Sequence, residues 1–169
     1  MKTSTQGKNL IKQAEGCRLT AYKCAAGVWT IGYGHTQGVR AGQSITQQQA
    51  EEMLAADLAA YERAVGKVSQ KLTQEQFDAC VSLCYNIGTG AFRNSTAAAL
   101  IAADPTPRPE LERAWKSWNK AGGKTLDGLV KRRAKEWQLY SKASSTLSAT
   151  IFGIAAAAVA VSSALILIS

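Results

Sequence analysis

Apolar residues recur at helical spacing over most of the chain. In the first segment they fall at Leu10, Ile11 and Ala14, on one face of a helix. We therefore predict a helix from about residue 4 to Glu15. Gly16 is its natural stop, because glycine accepts the left-handed backbone that follows a helix.

Between residues 18 and 38 the pattern changes to β-branched and aromatic residues separated by glycines, which predicts a small hairpin or three-stranded meander. Two capping boxes, Thr46–Gln49 and Thr73–Gln76, then open two longer helices. This order predicts an α+β fold, with a cleft where the β unit meets a mostly helical lobe. A short helix is expected at about 96–103 and further helices at about 110–120 and 126–141, with a loop over 104–109.

The end of the chain differs from the rest, because no charged residue follows Lys142. Of the 22 residues 147–168, 17 are hydrophobic and the rest are Ser, Thr and Gly. As a helix they would measure roughly 33 Å, enough to cross a bilayer core of about 30 Å. We expect a soluble domain over 1–142, a linker over 143–146 and a C-terminal hydrophobic, transmembrane helix over 147–168. A buried or amphipathic helix is the alternative.

Charge narrows the possible partners. Lys and Arg number 20 against 12 Asp and Glu, a net charge of +8, which favours a polyanionic partner such as nucleic acid, anionic lipid or an acidic wall polymer. Nucleic acid is disfavoured because no helix-turn-helix or aromatic-basic platform is evident. The N-terminus also lacks the apolar core of a classical export signal.

Glu15 is the first candidate for chemistry. It lies at the C-terminal end of its predicted helix, where the helix dipole disfavours a charged carboxylate. A carboxylic acid held protonated can act as a general acid; a solvated glutamate at a helix end is the simpler alternative. Cys24 and Thr30 follow after eight and five intervening residues, and could position a water molecule opposite the acid. They could equally be a buried cysteine and an ordinary strand threonine.

These residues form part of a recognisable pattern. Residues 15–22, Cys24 and residues 27–36 closely resemble the phage-type lysozymes, glycoside hydrolase family 24. That family's signature is an acidic Glu, eight residues, an Asp or Cys, five residues and a Thr. Two further segments, 83–88 and 128–136, also match. The resemblance covers essentially the whole chain before the apolar tail.

The resemblance implies an endolysin that hydrolyses the β-1,4 bond between N-acetylmuramic acid and N-acetylglucosamine in peptidoglycan, and so lyses the host cell. Glu15 would be the general acid, Cys24 would replace the second catalytic Asp, and Thr30 would help to hold the attacking water. Water directed to the face opposite the leaving group inverts the anomeric carbon. No cofactor or metal is implied, and we expect a monomer. Because Cys24 departs from Asp, a non-catalytic, membrane-tethered peptidoglycan-binding module is the alternative.

The family pattern also suggests roles around this centre. His35 and Asp57 would form a structural ion pair between the β unit and the long helix. The basic cluster of residues 131–135 could bind the wall polymer or be a solvated helix face. Four residues match substrate-binding positions of the cleft: Thr36, Tyr85, Asn86 and Ser95.

The cysteines suggest that a disulfide could regulate the enzyme. Some family members with Cys at the second catalytic position carry another Cys two residues after the acid, and the two can pair and disable the site. Cys17 and Cys24 match that arrangement, so a regulatory disulfide is one hypothesis and two reduced thiols the other. Cys80 and Cys84 are predicted to be core residues, because buried cysteine behaves as a small hydrophobe. A zinc site from all four lacks the usual ligand spacing.

The apolar C-terminal segment also leads to a prediction of where the enzyme is located in the host cell. The positive-inside rule would leave the basic flank and the enzyme domain in the host cytoplasm or at its inner membrane, while the peptidoglycan is periplasmic. The enzyme would then depend on a membrane lesion such as a holin pore, on reversible insertion of the apolar segment, or on a different topology.

Overall fold

The computed structural model describes residues 1–24 and 26–142. The predicted linker at 143–146 and the predicted transmembrane helix at 147–168 lie outside the described residues. Within the two described ranges, no helix is long and apolar enough to span a bilayer.

The first helix, α1 (Thr5–Glu15), is confirmed. The Ser4 side chain caps it by accepting a hydrogen bond from the backbone N–H of Gly7. At the other end Gly16 has a φ of 69° and donates its own N–H to the carbonyl of Lys12, so the chain leaves the helix immediately after Glu15. This turn puts the candidate acid at the end of a rigid element.

The predicted β unit is a twisted hairpin. Strand β1 (Arg18–Lys23) pairs antiparallel with β2 (Trp29–Gly32), with Tyr22 opposite Thr30 and an irregular register between Arg18 and Tyr22. Isolated bridges join Thr20 to Ser44 and Ile31 to His35. The loop after β2 is thereby held along the hairpin and turned toward the helices.

Two long helices form the centre of the molecule. Both predicted capping boxes are present, at the starts of α2 (Gln47–Gly66) and α3 (Gln74–Ile87). Helix α3 packs against α1 and α2 and is buried over most of its length. Cys80 and Cys84 are fully buried, which confirms them as core residues, and burial raises the pKa of the Cys84 thiol to about 12.

The second half contains elements that the sequence pattern missed. A single-turn helix, α4 (Thr89–Arg93), follows α3, and α5 (Thr96–Ala103) lies where it was predicted. Helix α6 (Pro109–Lys116) is shorter than predicted, because a hairpin of β3 (Lys120–Ala121) and β4 (Lys124–Thr125) replaces its end. The turn between these strands is Gly122-Gly123, both with positive φ, as the tightest hairpin turns require. The last helix, α7, covers residues 127–142 of the described chain.

The α+β arrangement predicted from the sequence is confirmed. A ring cluster of Trp115, Trp137 and Tyr140 fastens α7 to α6, with ring centroids 5.2–6.0 Å apart. Trp115 and Tyr140 are fully buried. Helix α7 is therefore fixed against the helical lobe, and its inner face becomes part of the site.

Candidate active site

A cavity of about 570 Å³ lies between the β unit and the helical lobe. It is formed by the end of α1, the loop after β2, the middle of α2 and the turn between α3 and α4. Glu15 and the predicted residues Thr36, Tyr85 and Asn86 all contribute to its lining, so the fold brings these four together. The lining also includes Gly34, His35, Gln37, Asp57, Ala60, Tyr61, Gly88 and Thr89.

Glu15 is held by a buried arginine. Its side chain is 25% exposed, and Arg132 Nη1 donates a hydrogen bond of 2.6 Å to its Oε1. Arg132 is itself buried and donates from Nε to Glu136 Oε1 (3.1 Å) and from Nη2 to the carbonyl of Ser82 (3.2 Å). Every donor nitrogen of the guanidinium has a partner, so the position of the Glu15 carboxyl is fixed.

The basic cluster on α7 is therefore only partly a surface feature. Lys131 and Lys135 are exposed, but Arg132 and Arg133 are buried and belong to the site. The reason is Glu136, which lies one turn further along α7 and pairs with both arginines. Glu136 follows Arg133 by three residues and Arg132 by four, and this spacing was the signal in the sequence that could have predicted the two ion pairs.

Glu136 is fully buried, yet donors surround its carboxylate. Oε1 accepts from Ser82 Oγ (2.7 Å), Arg132 Nε and Arg133 Nη2 (2.9 Å). Oε2 accepts from Trp115 Nε1 at 3.1 Å. Arg133 Nε lies 2.9 Å from Oε2 as an ion pair, although its N–H is not aimed at that oxygen. Burial lowers the pKa of Arg133 to about 10, with the charge of Glu136 acting against that shift.

Cys24 directly follows β1 and Thr30 lies on β2, so both belong to the hairpin. Backbone hydrogen bonds from Val28 and Ala26 lower the pKa of the Cys24 thiol. Thr30 is buried, and its hydroxyl donates to the Val28 carbonyl (3.0 Å). Neither side chain is part of the lining of the cavity around Glu15, as far as the described residues show.

Cys17 and Cys24 are free thiols at opposite ends of β1. At roughly 3.3 Å per residue, the six residues of this strand span roughly 20 Å. A disulfide needs Cα atoms within about 7 Å. The two cysteines can therefore pair only if β1 leaves the hairpin and folds back on itself. Among the described residues, no group of three or more potential ligands could hold a metal ion.

His35 and Asp57 are in contact. His35 Nδ1 lies 2.8 Å and 3.0 Å from the two carboxylate oxygens of Asp57, and Nε2 lies 2.9 Å from the carbonyl oxygen of Gln37. Both ring nitrogens thus face oxygen acceptors. The pair joins the loop after β2 to the middle of α2, on the floor of the cleft.

The predicted substrate-binding residues divide into three groups. Thr36 and Asn86 line the cavity around Glu15. The Tyr85 hydroxyl donates to the carbonyl of Tyr33 (2.8 Å), so its proton fixes the loop after β2, and burial raises the pKa of Tyr85. Ser95 is not brought to Glu15: it lines a different cavity, and its hydroxyl caps α5 by accepting from the Ala98 N–H while donating to the carbonyl of Phe92.

The fold and the arginine-held carboxyl over an interlobe cleft define a lysozyme-like glycoside hydrolase. Residues 12–136 match the family model described as phage lysozyme, so the chain belongs to the phage lysozyme family. The domain that these residues form is a glycoside hydrolase of the muramidase type.

Known relatives agree with this assignment. The chain is 44% identical to an endolysin of Bacillus phage PZA over 145 residues, which are 83% of this chain and 55% of the relative. It is 42% identical to an endolysin of Acyrthosiphon pisum secondary endosymbiont phage 1, covering 85% of this chain and all of that protein. The solved muramidase domain of SpmX from Asticaccaulis excentricus superposes with a TM-score of 0.75 at 37% identity, covering 82% and 97% of the two chains. The chain thus spans about half the length of the Bacillus phage relative.

Proposed function

We propose that this chain is an endolysin that hydrolyses the β-1,4 bond between N-acetylmuramic acid and N-acetylglucosamine in bacterial peptidoglycan. We assign it to the subgroup of glycoside hydrolase family 24 in which Cys replaces the second catalytic Asp. The observation that carries the proposal is the position of Glu15 at the mouth of the cleft, with Oε1 held by Arg132 at 2.6 Å.

Glu15 is the general acid in this proposal. Arg132 contacts Oε1, so we assign the transferable proton to Oε2. That proton passes to the glycosidic oxygen as its bond to the anomeric carbon breaks, and the leaving sugar departs with a free hydroxyl. The carboxyl must be protonated again from solvent before the next cycle.

Cys24 supplies the complementary base. A water molecule held by Thr30 and Cys24 attacks the anomeric carbon from the opposite face. Its proton passes to the Cys24 thiolate, which releases it to solvent before the next cycle. The lowered pKa of this thiol supports the thiolate form that such a base requires. Attack opposite the leaving group gives inversion. The non-catalytic binding module is disfavoured, because a binding surface does not require the buried arginine that fixes Glu15.

Regulation through Cys17 and Cys24 is a second part of the proposal. A bond between them would consume the catalytic sulfur and remove β1 from its pairing with β2. Thiol titration of oxidised and reduced protein, run beside activity, tests this. Activity that is the same in both states would contradict the switch.

We propose host lysis as the biological outcome, with the enzyme acting as a monomer on periplasmic peptidoglycan from the cytoplasmic or inner-membrane side. Access through a holin lesion or through the membrane belongs to the same proposal. The segment that would decide between these routes, residues 147–168, lies outside the described residues.

The test is reducing-sugar release from purified peptidoglycan by the full chain under reducing conditions, for wild type and Glu15→Gln. We expect the variant to lose activity by about 10²- to 10⁴-fold, the usual contribution of a general acid. Glu110→Gln is the matched control, because Glu110 is an exposed glutamate paired with Arg113 on the surface of α6. Wild-type activity in Glu15→Gln would refute the assignment.

A further inference from the structure

The two neighbouring arginines of α7 share one carboxylate partner but contact different residues of the site. Both donate hydrogen bonds to the buried carboxylate of Glu136. Arg132 also donates to Glu15, whereas Arg133 also donates to Asn86. Arg133 Nη2 donates a 3.0 Å hydrogen bond to Asn86 Oδ1. Asn86 in turn borders two cavities, and Glu15 lines both of them.

This contact determines which end of the Asn86 amide faces the substrate. A guanidinium has only N–H donors, so the group opposite it must be the amide oxygen. The reversed amide would put N–H donors against N–H donors next to a buried charge and would lose a charge-assisted hydrogen bond. Asn86 therefore offers its NH₂ group to the cavities.

Arg133 is well suited to fix that orientation. It is fully buried, its Nη2 also donates to Glu136, and its Nε forms the ion pair with the same carboxylate. Glu136 is held by Ser82 and Trp115, so every residue that links the core to Asn86 is buried, and Asn86 itself is half-buried.

We propose that Arg133 is a positioning residue that fixes Asn86 as a hydrogen-bond donor, and that Asn86 recognises a carbonyl or carboxylate oxygen of the glycan beside the bond that is cleaved. This inference rests on the proposed function, because it is the glycan that supplies the oxygen. In peptidoglycan that oxygen belongs either to an acetamido group or to the acidic peptide branch.

Asn86→Asp separates this role from a structural one. The aspartate keeps the size of Asn86 and its bond to Arg133, so the thermal unfolding temperature should stay the same or rise. It removes both donors, so KM for peptidoglycan should rise about 3- to 10-fold, the change expected when one hydrogen bond to the glycan is lost. An unchanged KM in a stably folded Asn86→Asp protein would overturn the proposal.

Arg133→Lys tests the positioning step. A lysine keeps the positive charge beside Glu136 but lacks the planar fork that reaches two partners. We expect KM to rise about 3- to 10-fold while kcat changes less than twofold. Arg113→Lys is the matched control, because Arg113 is 70% exposed on α6 and touches neither cavity around Glu15. A rise in KM in Arg113→Lys equal to that in Arg133→Lys would also count against the proposal.

A spectroscopic measurement keeps the proposal testable if a variant folds poorly. The side-chain amide of Asn86 in ¹⁵N-labelled Glu15→Gln protein should shift when a tetramer of N-acetylglucosamine binds, because this glycan carries acetamido groups and no carboxylate. A shift only with a peptide-bearing disaccharide would assign the contact to the peptide carboxylates. No shift with either glycan at saturation would overturn the proposal.

The experiments distinguish a failure of the proposed function from a failure of the roles given to Arg133 and Asn86. If Glu15→Gln retains activity, the proposed catalytic role of Glu15 is wrong. If wild type cleaves peptidoglycan, Glu15→Gln does not, and Asn86→Asp keeps its KM, only the role given to Arg133 and Asn86 is wrong.

Discussion

Replacing Glu136 by Gln is the most informative perturbation of this fold. The carboxylate is completely buried and compensates two buried arginines at once. In the variant Arg132 retains Glu15, but Arg133 loses its only charged partner among the described residues. Removing one member of a buried ion pair costs about 3–5 kcal/mol, because the remaining charge stays desolvated without compensation. A domain of this size has a total stability of about 5–15 kcal/mol.

We expect Glu136→Gln to lower the free energy of unfolding by about 3–5 kcal/mol. The measurement is urea denaturation followed by tryptophan fluorescence, with slope and midpoint compared separately because the slope reports the surface exposed. Glu112→Gln is the control, since Glu112 pairs with Lys116 on the exposed face of α6 and should cost less than about 1 kcal/mol. A loss below about 1 kcal/mol for Glu136→Gln at an unchanged slope would refute the argument.

Three further outcomes are expected. Burial alone would raise the pKa of Glu62, but hydrogen bonds from Thr3 and the contact with Lys2 outweigh it and lower the pKa. Ionised Glu62 therefore stabilises the folded state fully above its ordinary pKa, and this stabilisation is lost as the pH falls through the lower pKa of the folded state. The melting temperature of Glu62→Gln should consequently fall less at acidic pH than that of wild type. Cys24→Asp should remain active and resist iodoacetamide, which should inactivate wild type; inactivation of both proteins would contradict the role of Cys24. His35→Asn should lower the free energy of unfolding by about 1–3 kcal/mol, because it removes a charge-assisted contact to Asp57, and an unchanged melting temperature would contradict that.

The starts and ends of helices could be predicted from the sequence because the residues that form each cap lie close together along the chain. A capping box joins residues three apart, and Gly16 ends α1 through a bond to a residue four positions back. The helices that these signals open were therefore predicted to within a few residues. The β3–β4 hairpin was missed because its strands have two residues each, too few to show a period.

The candidate site was only partly predictable. The spacing from Glu15 to Cys24 and Thr30 pointed to the chemistry through family resemblance. Ser95 looked like a cleft residue, but the start of α5 needs its hydroxyl as a cap. The basic cluster that contains Arg132 and Arg133 was interpreted either as a site for the wall polymer or as a solvated helix face, and neither interpretation predicted that these two arginines are buried.

Local patterns and one motif were enough to predict the helices, the glycine stops and the apolar tail, and to mark Glu15 as the candidate acid, because each depends on neighbours within a few residues or on a fixed spacing. What holds the Glu15 carboxyl could be seen only once the helices were packed together. Arg132 and Glu15 are 117 positions apart and meet because α7 packs its inner face against α3 and α6. A buried charge is stable only when its partner lies within hydrogen-bond reach, and the partner is supplied by the packing of distant elements rather than by any local pattern.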